Sequence, residues 1–296
     1  MTAPAVDVCT EFAPAKVNLT LAVGVPQSDG YHPLDSLVVF ADWGDEVEVR
    51  DGEDLSLYLD GPASAPLRAE PQNLVLKAAY ALRAAAERSE LGAALTLKKQ
   101  LPIASGLGGG SSDAAAALRA LARFWDLDFS LKQLAEIGTV VGADVPACVH
   151  ARPLRMAGIG EQITPLVAWP QLHAVIAHPG AALSTASVFQ AYDQGAPMAL
   201  EPGKAPAAGD FDAAIARIKE GRNNLEAPAR GLEPLIGYTL DALGALPGAA
   251  LARMSGSGAS CFALFETEAA ARAGAQRLKA EQPGWTVEAV CFQGAS

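Results

Sequence analysis

The chain has 296 residues, half of them apolar, and a formal net charge of −11. That length supports one large domain or two modest ones, and the acidic balance argues against a surface for nucleic acid or for an anionic membrane. An anionic small molecule then needs a locally cationic pocket, which directs attention to the few lysines set in apolar sequence.

No apolar run approaches the roughly 20 residues of a membrane helix. Met1-Thr2-Ala3-Pro4 lacks the basic and then apolar pattern of a signal peptide. Cys9, Cys148, Cys261 and Cys291 lie far apart with no Cys-x-x-Cys pair, as expected of buried thiols in a reducing cytoplasm.

In chain order, residues 8 to 23 predict a strand interrupted around Ala13 to Asn18. Lys16 and Asn18 are two apart and share one face of an extended segment. A lysine there is either paired or turned to solvent at a sheet edge. Ser28-Asp29-Gly30 marks a turn. Tyr31 and His32 follow, able to stack on and hydrogen-bond a flat ring or simply to pack their loop. Leu37 to Phe40 reads as a strand, and Glu46 to Arg50 with Leu55 to Leu59 as antiparallel strands. Asp60 to Pro71 is a polar connection. Asn73 is placed to cap a helix reaching about Arg88, and Ala94 to Lys99 alternates as a strand.

The stretch that follows carries the chemistry: Pro102, Ile103, Ala104, Ser105, Gly106, Leu107, Gly108, Gly109, Gly110, Ser111, Ser112, Asp113. An Ala-rich helix runs from about Ala114 to Trp125. The order strand, glycine loop, helix suits an anion. Glycine permits positive φ and close approach, successive N–H groups form a concave nest, and the helix N-terminus adds donors and partial positive charge. Ser111 and Ser112 can cap the helix or offer hydroxyls to a phosphate. No Gly-Lys-Ser/Thr ends the loop, so it is not a Walker A motif, and its glycine spacing is not that of a dinucleotide fold.

Ser130 with Gln133 is a capping-box signature for a helix ending at Gly142. Asp144 then sits as an N-cap with Pro146 in the first turn. An Asp at a helix start beside a lysine is favoured as the carboxylate and suits a group that accepts a proton transiently. Residues 155 to 160 read as a turn-rich crossing, with a domain boundary near 158. Leu172 to Ala177 is a strand leading to His178-Pro179-Gly180. Ser184 or Thr185 caps the next helix. Residues 196 to 209 form a Pro/Gly/Ala-rich loop. Phe211 to Lys219 and Leu232 to Leu243 read as helices. A second glycine turn, Met254 to Cys261, opens a strand to Phe265, followed by a helix over Ala269 to Ala280 and a strand over Thr286 to Phe292.

Residues 102 to 112 resemble the phosphate-binding motif of the GHMP kinases, Pro-x-x-x-Gly-Leu-Gly-(Ser/Gly)-Ser-(Ser/Ala). Pro14 to Leu19, Gly142 to Pro146 and Ser255 to Ser260 fall in the order of that family's other motifs. The resemblance implies an α+β, two-domain fold: an N-terminal nucleotide-binding α/β domain over 1–158, and a C-terminal ferredoxin-like α+β sandwich over 159–296 that completes the substrate cleft. It implies a small-molecule kinase that uses ATP with Mg2+, with Asp144 as general base and Lys16 as its cationic partner. Asn73 and Lys99 border the adenine, and residues 102 to 112 hold the phosphates. Gly30-Tyr31-His32, Gly142 to Pro146 and His178-Pro179-Gly180 are similar to the branch whose acceptor is a cytidine-diphosphate-linked sugar alcohol. Asn18, Tyr31, His32, Thr185 and Phe189 would border that acceptor. A cytoplasmic monomer or weak homodimer is expected. Another alcohol kinase of the family, or a non-catalytic nucleotide-binding regulator on the same fold, is the alternative. Ala104-Ser105 replaces a Gly-Gly of the family, and Asp113 stands where some members have Asn, with no role assigned.

Overall fold

A computed structural model describes the chain apart from residues 1–7, 29, 70–72, 196, 198, 201–208 and 296. The N-terminal four residues, Asp29 of the predicted turn, Pro71 and most of the 196–209 loop therefore lie outside the described residues. The elements in chain order are β1 (Cys9–Asn18), β2 (Ala22–Val23), β3 (Leu34–Arg50), β4 (Leu55–Asp60), α1 (Leu74–Ala85), β5 (Ala93–Lys98), α2 (Gly109–Phe124), α3 (Leu131–Thr139), α4 (Val145–His150), β6 (Leu154–Gly158) and β7 (Gln162–Pro165). They continue with β8 (Leu172–His178), α5 (Thr185–Gly195), α6 (Phe211–Glu220), α7 (Glu226–Leu232), α8 (Leu235–Gly244), β9 (Leu251–Met254), β10 (Cys261–Phe265), α9 (Glu268–Glu281) and β11 (Thr286–Phe292). Two compact units are present, one of residues 1–15, 44–103 and 109–150, the other of residues 16–43, 104–108 and 151–296.

In the first unit the C-terminal half of β3 pairs antiparallel with β5, and β5 pairs parallel with β4. A helix, α1, connects β4 to β5, and such a crossover returns the chain in the same direction. The predicted strands at 46–50 and 55–59 thus exist but do not pair with each other, because β5 lies between them. Asn73 caps α1 by accepting the Val75 N–H, and Ser130 with Gln133 forms the capping box of α3. Ala114 to Ala117 of α2 are fully buried. Their small side chains let α1 and α4 pack closely on α2, and burial of Leu118 and Leu121 adds roughly 1.5–3 kcal/mol each. Helix α3 ends at Thr139, before Gly142.

In the second unit β11, β8, β10 and β9 form an antiparallel run in that order. Helices α8 and α9 pack on it, over a core that includes Val175, Phe265, Leu243, Leu246 and Leu278. The predicted turn-rich crossing at 155–160 is instead strand β6, which pairs with Leu34–Val38 of β3 and forms a hairpin with β7. Only Gly158 and Gly160 there have positive φ. The helix predicted over 232–243 is α8, which starts at Leu235; α7 before it is not among the predicted elements and ends at Leu232, with Glu233 at φ −136° and ψ 93°. The clash of a proline ring with the preceding residue keeps Glu233, before Pro234, out of the helical region.

His178 ends β8 buried, with Nδ1 3.3 Å from the Ser260 hydroxyl. Burial pushes its imidazole down to about 4. Between the two values the unfolded chain binds a proton that the folded chain refuses. Stability on the order of a few kcal/mol is therefore present above the ordinary histidine range and is lost as pH falls from about 6.5 to 4. Urea midpoints recorded over that interval should fall less steeply for His178→Gln than for the unaltered protein.

Candidate active site

The glycine loop leaves β5 and enters α2 at Gly109. Ala104, Gly106 and Gly108 take φ of 51°, 77° and 61°. This run of left-handed residues, ending on the free N–H groups of a 16-residue helix, is the nest expected of an anion cradle. Helix α2 begins two residues before Ser111, so neither serine is its cap. Ser112 is fully buried and donates its hydroxyl to the Pro14 carbonyl at 2.6 Å, whereas Ser111 is half-buried.

Within the second unit the loop is sewn to two other segments. The Lys16 N–H donates to the Leu107 carbonyl at 2.8 Å. A Cβ placed on Gly108 would lie 3.0 Å from Lys16 Cβ and 3.1 Å from Lys16 Cε. The lysine stem therefore occupies the space a side chain at 108 would need. Lys16 is only 3% exposed, which removes the solvent-facing alternative. The Ser255 hydroxyl accepts the Asn18 N–H at 3.2 Å and donates to the Gly106 carbonyl at 2.9 Å. The Ser260 N–H reaches the Ser105 carbonyl at 2.9 Å. A Cβ on Gly106 would stand 2.5 Å from the Ser255 carbonyl oxygen. Asn18 completes the corner by donating Nδ2 to Ser36 Oγ at 2.7 Å.

Deeper in the same unit Arg253 donates to the carbonyls of Leu19, Ile218 and Gly221 at 2.8, 2.8 and 2.9 Å. Its pKa is lowered by burial, against a smaller opposing pull from Glu226.

In the first unit Lys99 does not project into an open pocket. Its ammonium lies 2.5 Å from Asp45 Oδ2 and 2.7 Å from Asp113 Oδ2. Burial lowers its pKa, but the interactions with Asp113 and Asp45 outweigh that and hold it above the ordinary lysine value. A Cβ on Gly109 would sit 2.9 Å from this amine. Asp144 immediately precedes α4, and its carbonyl accepts the Cys148 N–H at 3.2 Å. Pro146 is the second helical residue, where a missing N–H costs nothing. Lys77 of α1 donates to the Val141 carbonyl at 3.0 Å, which ties the turn before Asp144 to α1.

The predicted acceptor residues of the second unit separate into two groups. His32 packs on Phe189 with ring centroids 4.9 Å apart and meets Asp193 at 2.8 Å. The neighbouring Tyr31 is 56% exposed. Thr185, the first residue of α5, meets the Ser257 hydroxyl at 2.8 Å. Sequence reasoning missed Asp45 and the bridging role of Ser255. The only signal for Asp45 was an acid within a strand pattern, and for Ser255 its place at the head of a glycine turn. Among the described residues no three His, Cys, Asp or Glu side chains gather as a metal cluster.

A glycine cradle on a helix N-terminus, crossed by a buried lysine and backed by a second glycine turn, has the makings of a phosphoryl-transfer site on an α+β fold. Models for the "GHMP kinases N terminal domain" and "GHMP kinases C terminal" match residues 73–152 and 204–284. The chain belongs to the GHMP kinases, a family of small-molecule kinases. It is 48% identical over 286 residues to the 4-diphosphocytidyl-2-C-methyl-D-erythritol kinase of Granulibacter bethesdensis, covering 95% of this chain and 93% of the relative. It is 50% identical to the enzyme of that name from Cereibacter sphaeroides, over 93% and 96% of the two chains. A crystal structure of 4-(cytidine 5'-diphospho)-2C-methyl-D-erythritol kinase superposes with a TM-score of 0.74 at 31% identity, covering 96% of this chain and all of that one. An L. major mevalonate kinase shares the fold, with a TM-score of 0.68 at 16% identity over the full length of both chains.

Gly108→Ala tests the cradle. The positive φ alone should cost about 1–2 kcal/mol of stability. The new methyl must also displace the Lys16 stem, so kcat measured well below the melting temperature should fall by more than the stability loss explains.

Proposed function

We propose that the chain transfers the γ-phosphoryl group of ATP to the 2-hydroxyl of 4-diphosphocytidyl-2-C-methyl-D-erythritol, giving the 2-phosphate and ADP. That reaction belongs to the non-mevalonate route to isoprenoid precursors. The observation that carries the reading is the seating of Lys16. Its backbone is bonded to the glycine loop and its stem lies across Gly108, so its charge is kept beside the loop that receives phosphate. Relatives of that name near 50% identity over almost the whole chain support the choice of acceptor.

When bound, ATP supplies the transferable phosphoryl group and the leaving ADP. The nest at Ala104 to Gly108 and the first turn of α2 present N–H donors to phosphate oxygens, and such transfer depends mainly on positioning and charge stabilisation. In this reading Asp144 takes the proton of the acceptor hydroxyl, and Lys16 steadies both that carboxylate and the alkoxide as it forms. Asn73 borders the adenine while its side chain caps α1. Lys99 acts from behind the loop, through its two carboxylates. Asn18, Tyr31, His32, Thr185 and Phe189 line the acceptor side, with Tyr31 offering its exposed ring to the pyrimidine. Mg2+ fits as an ion carried in on phosphate oxygens and water. Residues 1–158 would form the ATP-binding domain, and residues 159–296 would complete the substrate cleft. Four free cysteines suit a cytoplasmic protein, acting as a monomer or weak homodimer.

ADP release with a panel of alcohols tests the reaction. Turnover confined to the cytidine-linked acceptor supports it. Turnover on mevalonate or homoserine instead would assign another kinase, and none on any alcohol would indicate a nucleotide-binding regulator. Asp144→Asn should keep nucleotide binding and lose at least ~100-fold in kcat. Tyr31→Ala should weaken the acceptor by roughly 1–3 kcal/mol, the range for base stacking on an aromatic ring, read as Kd by calorimetry.

A further inference from the structure

Asp45, Lys99 and Asp113 place two acids on one base. Their side chains are 0%, 3% and 3% exposed. Asp45 is fully engaged: Oδ2 takes the Lys99 ammonium, and Oδ1 accepts the backbone N–H groups of Gln100 at 2.5 Å and Leu101 at 2.8 Å. Asp113 accepts from Lys99 alone, and its Oδ1 is buried without a hydrogen-bond partner among the described residues. If both acids were ionised the trio would carry one surplus negative charge, away from water, in the first turns of α2. Such a charge is expensive, and a proton on one carboxyl removes it. Three N–H donors favour the anion at Asp45, so the proton falls to Asp113.

We propose that Asp113 is a positioning residue for the nucleotide phosphates: it stands neutral, holds the start of α2 to the end of β5 through Lys99, and leaves the positive end of α2 to the ligand. This rests on the assignment of residues 102–112 to the phosphates. Burial raises the Asp113 carboxyl to about 8, with Lys99 opposing the rise and Asp45 adding to it. Those two are the charges that act on it. Lys77 of α1 is committed to the Val141 carbonyl, Arg119 further along α2 faces Glu11, and Asp144 stands ahead of α4. Above that pH the deprotonated carboxylate sets a negative charge against the helix end, and phosphate binding weakens.

The test is the affinity for Mg2+-ADP by calorimetry between about pH 7 and 9.5, for the unaltered protein, Asp113→Asn and Gly108→Ala. Comparing the first two cancels the titration of the nucleotide itself. The unaltered protein should lose roughly 2- to 5-fold more affinity over that range than Asp113→Asn, the size of one charge at a helix N-terminus. Parallel profiles, with Gly108→Ala weakened at every pH, would overturn the role of Asp113 and leave the loop assignment standing. Full affinity in Gly108→Ala would remove the loop assignment itself. Should Asp113→Asn not fold, proton exchange decides: the unaltered protein should take up a fraction of a proton on binding ADP near pH 8.5, and zero uptake would contradict the inference.

Discussion

Close backbone contact between two glycine turns is the constraint on which the seating of Lys16 in the second unit depends. The loop at Gly106 lies so near the Ser255–Gly258 turn that no side chain fits at 106. One hydroxyl, that of Ser255, joins the turn to the loop and to the strand carrying Asn18. Once those backbones touch, Lys16 has a fixed path over Gly108. A close-packed interior resists displacement, so the lysine stem is held on that path.

Electrostatics then separate by depth. The chain as a whole repels anions, with a net charge of −11. Local structure reverses this through oriented N–H groups and a few buried cations. Lys99 is spent on holding structure, its ammonium bound between the carboxyl groups of Asp45 and Asp113. Arg253 is likewise consumed by three carbonyls. Lys16 is positioned by the glycine loop, whose Leu107 carbonyl accepts its backbone N–H. Buried position alone therefore does not rank these cations by function; the groups that hold them do.

Much of this was legible in sequence because local rules governed it. The caps at Asn73 and Ser130, the Ala-rich helix behind the loop and the place of Asp144 ahead of α4 all follow from short-range chemistry. The loop's glycines announced positive φ. What was not legible depended on partners distant in sequence. The insertion of β5 between β3 and β4 is set by the α1 crossover, and β6 pairs with the start of β3, more than 100 residues away, as well as with its hairpin partner β7. A strand of two to six residues carries too short a pattern to outweigh the glycines around it. Asp45 shows the same limit: it falls on the buried face of β3 with Val47 and Val49, but its partner Lys99 lies 54 residues on.

The central proposal is that Lys16 and Asp144 serve one hydroxyl at the glycine loop. A crystal structure with a non-hydrolysable ATP analogue, Mg2+ and the cytidine-linked acceptor tests it most directly. The account predicts one acceptor oxygen within about 2.6–3.2 Å of the Asp144 carboxylate, with the Lys16 ammonium beside it and the terminal phosphate in line. An acceptor hydroxyl bound out of reach of Asp144, with another carboxylate in its place, would contradict the account.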